Sequence, residues 1–137
     1  MTRDEQEQFK TKHYNEALRY MENAETTLQK AKKEDGYYHD KKYVRTACGT
    51  AYNGALIALD AYLMLKDVEI PKKKRRSIMF YSYKIAQLDR KMSNYLDVVY
   101  SVLHLDGYYD GVLKASIIKE GFDVAYQIIE KIKPSEV

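Results

Sequence analysis

The sequence is poor in the residues that staple, punctuate or span. It has one cysteine, two prolines, six glycines and no tryptophan among its 137 residues. A single cysteine, Cys48, rules out an intramolecular disulfide and any multi-cysteine zinc site, and His13, His39 and His104 show no metal-ligand spacing. No motif implies a metal or a cofactor. The N-terminus MTRDEQEQFK is charged and lacks the apolar stretch of a signal peptide. Together with the absence of disulfides this leads us to expect a cytoplasmic protein. The longest apolar stretch, residues 47–65, is interrupted by Asn53 and Asp60 and rich in Ala and Gly, so we expect no membrane span. No segment alternates with period two over the length of a strand.

What the sequence does hold is tyrosine, 14 residues, and helical periodicity. Tyr14, Ala17, Met21, Ala24, Leu28 and Ala31 recur in steps of three and four, predicting a first helix over 4–33 that Asp35 and Gly36 stop. Asp40 is a good N-cap for a second helix running to about residue 66, although Lys41 and Lys42 in its first turn oppose the helix dipole. Its Val44, Ala47, Cys48, Ala51, Gly54, Ala55, Ala58, Leu59, Tyr62 and Leu65 form a broad apolar arc, which makes it the central helix. Arg45, Gly49, Tyr52, Asn53 and Asp60 occupy the remaining face as a polar stripe. Residues 67–76 form the longest connection because Pro71 interrupts it.

Ile78, Tyr81, Ile85 and Leu88 predict a third helix over 77–88, and Asp89 is placed to cap a fourth whose buried face holds Met92, Leu96, Val99, Val102 and Leu103. Whether 77–105 is one bent helix or two is left open by the spacing. Gly107 is expected to end it. A last helix over 112–133 carries Ile118, Phe122, Ala125, Ile128, Ile129 and Ile132 in phase, with Pro134 beyond it. The expectation is one domain, 1–137, that is all-α: an antiparallel bundle of four to five helices. Asp35-Gly-Tyr-Tyr38 recurs as Asp106-Gly-Tyr-Tyr109 with similarly phased helices after each copy. The repeat suggests two pseudo-symmetric helical hairpins, although such turn residues also recur by chance.

The chemistry-bearing signals are few. Cys48, between Ala47 and Gly49 on the apolar arc, reads as a small core hydrophobe. There is no nucleophile elbow, phosphate loop or zinc-protease motif. The net charge of +3 is carried by Lys72, Lys73, Lys74, Arg75 and Arg76, without which the chain would be slightly acidic. Such a run, followed by Phe80, Tyr81 and Tyr83, suits phosphate neutralisation and base stacking as well as a solvated loop. The stripe of Arg45, Tyr52, Asn53 and Asp60 suits either a ligand or a hydrogen-bond network between helices. His104, beside the tyrosine pair Tyr108 and Tyr109, is the histidine best placed to act near neutral pH.

The run Ala47-Cys-Gly-Thr-Ala-Tyr-Asn-Gly-Ala-Leu-Ile-Ala-Leu-Asp-Ala-Tyr62 and the later Leu103-His-Leu-Asp-Gly-Tyr-Tyr-Asp-Gly111 resemble the HEPN superfamily of small bacterial helical bundles. The resemblance spans about residues 10–133. It implies a module that forms a homodimer and binds RNA or a protein partner such as a nucleotidyltransferase, or else a ribonuclease or toxin. The ribonuclease members carry an Arg followed, after four to six residues, by a His. No Arg here has a His in that window, and Arg45 is followed instead by Tyr52. The expectation is therefore a non-catalytic interaction module. The alternatives are a degenerate ribonuclease built from Arg45, Tyr52, Asn53 and His104, and a structural homo-oligomer without a ligand.

Overall fold

The computed structural model describes residues 1–71 and 77–135. The molecule is mostly helical, as the periodicity predicts, with one very small sheet. Helix α1, Arg3–Gln29, starts in a capping box: the Glu5 amide donates to Thr2 Oγ1 at 3.1 Å and the Thr2 amide donates to Glu5 Oε1 at 2.8 Å. It buries Tyr14, Ala17, Met21 and Ala24 and unwinds before residue 33, with Lys32 in the left-handed region at φ 55°.

The reason for the early stop is a hairpin. Strands β1, Lys33–Glu34, and β2, Tyr37–Tyr38, pair antiparallel around Asp35 (φ 54°) and Gly36 (φ 83°). An Asp-Gly pair with two positive φ angles is the tight hairpin turn whose twist matches the flanking strands. The all-α expectation holds broadly, and this two-stranded hairpin is the departure from it among the described residues. Beyond the turn, the Tyr38 amide donates to Leu113 O at 2.8 Å and the Ala115 amide to Gly36 O at 2.9 Å, so the hairpin also anchors the segment before the last helix.

Helix α2, Lys41–Leu65, opens at Asp40, whose Oδ1 accepts from the Lys42 amide at 3.0 Å. Ala47, Ala51, Ala55 and Ala58 are fully buried, and their small volume lets neighbours lie close on several sides. Helix α3, Ile78–Leu88, and helix α4, Arg90–Val99, are separate, which resolves the open question over 77–105. Asp89 is extended (φ −159°, ψ 107°), and its Oδ1 accepts from the Met92 amide at 3.0 Å to start α4. That amide, then the Lys131 ammonium and the Tyr62 hydroxyl, hold the Asp89 carboxyl below the usual range against the opposing effect of burial.

After Val99 the chain widens into a π-helical segment, Tyr100–Tyr109. Gly107 lies inside it and ends nothing; the turn comes at Gly111 (φ 65°). Helix α5, Ala115–Glu130, is shorter than expected at both ends. At its start, Leu113 and Lys114 pair with the hairpin instead of being wound into the helix, and the amide of Ala115, the first helical residue, donates to Gly36 O. Its apolar face, Ile118, Phe122, Ala125, Ile128 and Ile129, is buried as predicted, and so is Ile132 beyond it.

The chain directions follow from cross-helix bonds. Tyr14 donates to Glu130 at 3.2 Å and Tyr126 to Glu25 at 2.6 Å, so α1 and α5 run antiparallel. Arg45 meets Tyr108 while Tyr62 meets Asp89, so α2 runs antiparallel to α4 and the π segment. The core fills the space between α2 and these partners. No described helix is long and apolar enough to cross a membrane.

Candidate functional site: an aromatic groove with a basic rim

The site begins with a helical repeat. A π-helix turns by about 82° per residue, against about 100° for an α-helix. At that pitch Tyr100, His104, Tyr108 and Tyr109 all lie within about a quarter of the circumference, whereas an α-helix would put Tyr109 opposite Tyr100. The widened register is visible in the bond from the Asp110 amide to Leu105 O, 3.0 Å. It gathers three tyrosines and a histidine into one row.

The row faces Tyr52 on α2. The His104 ring stacks on Tyr52 with centroids 4.7 Å apart and 27° between planes, and lies 5.2 Å from Tyr100 and 5.0 Å from Tyr109, the last edge-on at 85°. Tyr108 lies nearly parallel to His104 (12° between planes), with centroids 6.0 Å apart. These rings line a groove of about 590 Å³ with Thr46, Gly49, Asn53 and Ile78. At its α2 N-terminal end it opens into a hollow of about 410 Å³ lined by Lys41, Lys42 and Arg45, with Thr46 and Tyr108 common to both. Arg45 Nε donates to Tyr108 O at 3.0 Å, which fixes the guanidinium at the junction.

Two close approaches make the arrangement possible. A Cβ on Gly49 would stand 2.9 Å from Tyr108 Cδ1, so only a glycine lets that ring lie against α2. A Cβ on Gly107 would stand 2.5 Å from Cys48 Cβ, so the π segment and α2 meet backbone to side chain there. Burial pushes the Cys48 thiol up from 9.0 to about 12, consistent with a packing residue. Burial, then Tyr100 and Tyr81, push the Tyr52 phenol above its ordinary 10.0, so it stays neutral.

Six of the residues singled out in the sequence therefore converge on one groove: Arg45, Tyr52, Asn53, His104, Tyr108 and Tyr109. Asp60 does not join them. It borders a separate hollow of about 640 Å³ with His13, Met64 and Val68, and accepts from the Tyr81 hydroxyl at 2.8 Å. The polar stripe also needs correction at Tyr52, which is 8% exposed because the π segment covers it. Lys72, Lys73, Lys74, Arg75 and Arg76 lie outside the described residues.

Sequence reasoning missed Tyr100, Lys41 and Lys42. Tyr100, His104 and Tyr108 recur every fourth residue, which was a legible signal. The two lysines were visible only as residues that oppose the helix dipole, an unfavourable placement that a ligand would explain. Among the described residues, no group of three or more His, Cys, Asp or Glu is placed to hold a metal ion.

Residues 12–134 match the family described as Domain of unknown function (DUF5618). The chain belongs to the DUF5618 family. The groove and both of its walls fall inside the span of that match. No curated protein matches the chain. Among solved structures, a protein of unknown function from Dyadobacter fermentans is similar, with 41% identity and a TM-score of 0.81 over 89% of this chain and 94% of that one.

Proposed function

We propose that this DUF5618 member is a non-catalytic, HEPN-like interaction module that binds single-stranded RNA in the groove between α2 and the π segment. The observation that carries the reading is that stacking rings and cations share one groove: Tyr108 lines both the aromatic part and the hollow of Lys41, Lys42 and Arg45. Single-stranded nucleic acid is held by this combination, rings for bases and cations for the backbone. The proposal includes the two-hairpin bundle and the homodimer expected from the sequence. Met79 (77% exposed) and Tyr83 (65%), one turn apart on α3, supply an apolar patch for a dimer contact.

The test is fluorescence anisotropy with labelled single-stranded RNA at increasing salt. Three rim cations should give a log-log slope of about −2. Arg45→Ala should weaken binding and flatten that slope. No binding at about 20 mM salt, where the Debye length exceeds about 20 Å, overturns the RNA reading and points to a protein partner.

A second reading is favoured by one specific observation. Arg45 lines the basic hollow and His104 the adjoining aromatic part, so a cation and an imidazole far apart in sequence come to neighbouring parts of the site, the two kinds of group a degenerate ribonuclease requires. Cleavage of the bound RNA by the purified chain, lost in both Arg45→Ala and His104→Ala, would establish this reading over the non-catalytic one.

A further inference from the structure

The groove is not uniform along its length, and the order of its residues limits what can lie in it. On α2, Arg45, Gly49 and Asn53 follow one another at four-residue steps along one side of the helix. Arg45 and Asn53 are eight residues apart, about 12 Å along the axis, which is the scale of a single nucleotide from phosphate to base edge. Between them Gly49 leaves a gap that the Tyr108 ring fills. A phosphate at the Arg45 end therefore places its base over the ring row and the outer edge of that base beside Asn53.

Asn53 is exposed, lines the groove, and its side chain makes no hydrogen bond to a described residue. Its amide offers one acceptor and two donors on a short stem. That set matches the N6 amino group and N7 of adenine in a two-bond pairing, the commonest use of asparagine in base recognition. Among the described residues, no carboxylate lines either part of the groove, so the paired donors of guanine meet no matching pair of acceptors there. The ring row is long enough to favour the larger stacking area of a purine over a pyrimidine.

We propose that the groove selects adenine, with Asn53 reading the base, the His104 and Tyr108 rings stacking on it, and Arg45 taking its phosphate. This inference rests on the RNA-binding reading and narrows it to one base. It goes beyond electrostatic attachment, which carries no sequence information.

The experiment compares four ten-nucleotide RNAs of oligoadenylate, oligouridylate, oligocytidylate and a run of purine riboside, which is adenosine without its 6-amino group. Anisotropy is read for the wild-type chain and for Asn53→Ala. Oligoadenylate should bind about tenfold more tightly than the other three, and Asn53→Ala should reduce the gap to the purine-riboside run to less than about twofold. The melting temperature should not change, because Asn53 is exposed. Asn53→Asp, which replaces donors with a second acceptor and adds a negative charge, should bind all four weakly. Equal binding of all four RNAs, or an adenine preference that survives Asn53→Ala, overturns this proposal while leaving the RNA-binding module intact. Failure of every RNA to bind overturns both.

Discussion

Residues 35–38 and 106–109 both read Asp-Gly-Tyr-Tyr, but the first copy is a β-hairpin turn with two positive φ angles and the second is the end of a π-helix. Gly36 has open space where a Cβ would be and is needed for its backbone conformation. Gly107 has ordinary helical geometry and is needed because Cys48 of α2 presses against it. The same residue thus serves turn chemistry in one copy and helix packing in the other. Local sequence proposes a turn in both places, and the tertiary contact with α2 decides the second. The site depends on that outcome, since the π register aligns Tyr109 with His104.

The comparison breaks most sharply at Gly107. Gly107→Ala should destabilise the fold by about 3 kcal/mol, measured by urea denaturation, because the new methyl overlaps Cys48 in a close-packed region. Cys48→Ala in the same background should restore little, since Cys48 Cβ itself is 2.5 Å from the added atom. The same contact keeps the thiol buried and its pKa at about 12. A raised folded pKa favours the folded state up to the unfolded value of 9.0 and loses that advantage as pH rises from there through about 12. Ellman's reagent at pH 8 should therefore leave Cys48 unlabelled until denaturant is added.

Gly36→Ala should cost less, about 1 kcal/mol, because the penalty is the left-handed backbone alone. Gly36→Asn, a residue that tolerates positive φ, should be close to neutral. The smallest effect on stability is expected at Gly49. There an alanine gains helix propensity, about 1 kcal/mol, while pushing the ring of Tyr108, which is 44% exposed and free to swing outward. Melting should barely shift, yet RNA affinity should fall about tenfold as the displaced ring leaves the stacking row.

The helices were legible because their signal is local and repeated. The apolar phase of α5 and the caps at Asp40 and Asp89 follow from spacing and side-chain chemistry alone. The β1–β2 hairpin carried an equally local signal in Asp35-Gly36, and the neighbouring helix periodicity masked it. The π segment was not legible. Its hydrophobic spacing, Val99, Val102 and Leu103, fits an α-helix, and the widening is imposed where Gly107 and Gly121 let the segment settle between α2 and α5. The site was half legible: Arg45, Tyr52, Asn53, His104, Tyr108 and Tyr109 were named, but their convergence on one groove is a property of the antiparallel pairing of α2 with that segment. Asp60 lies on the same helix and was grouped with them, and the structure assigns it to Tyr81 instead.

The central claim is that α2 and the π segment form one RNA-binding groove. NMR titration of the full chain with a ten-nucleotide oligoadenylate tests it directly, following the ring protons of His104 and the tyrosines together with backbone amides. The account predicts that the largest shifts fall on His104, Tyr108, Tyr109, Tyr52 and the amides around Arg45 and Asn53, with α1 and the outer face of α5 unaffected. Shifts confined to the lysine and arginine run at 72–76, with the groove rings unmoved, would contradict it.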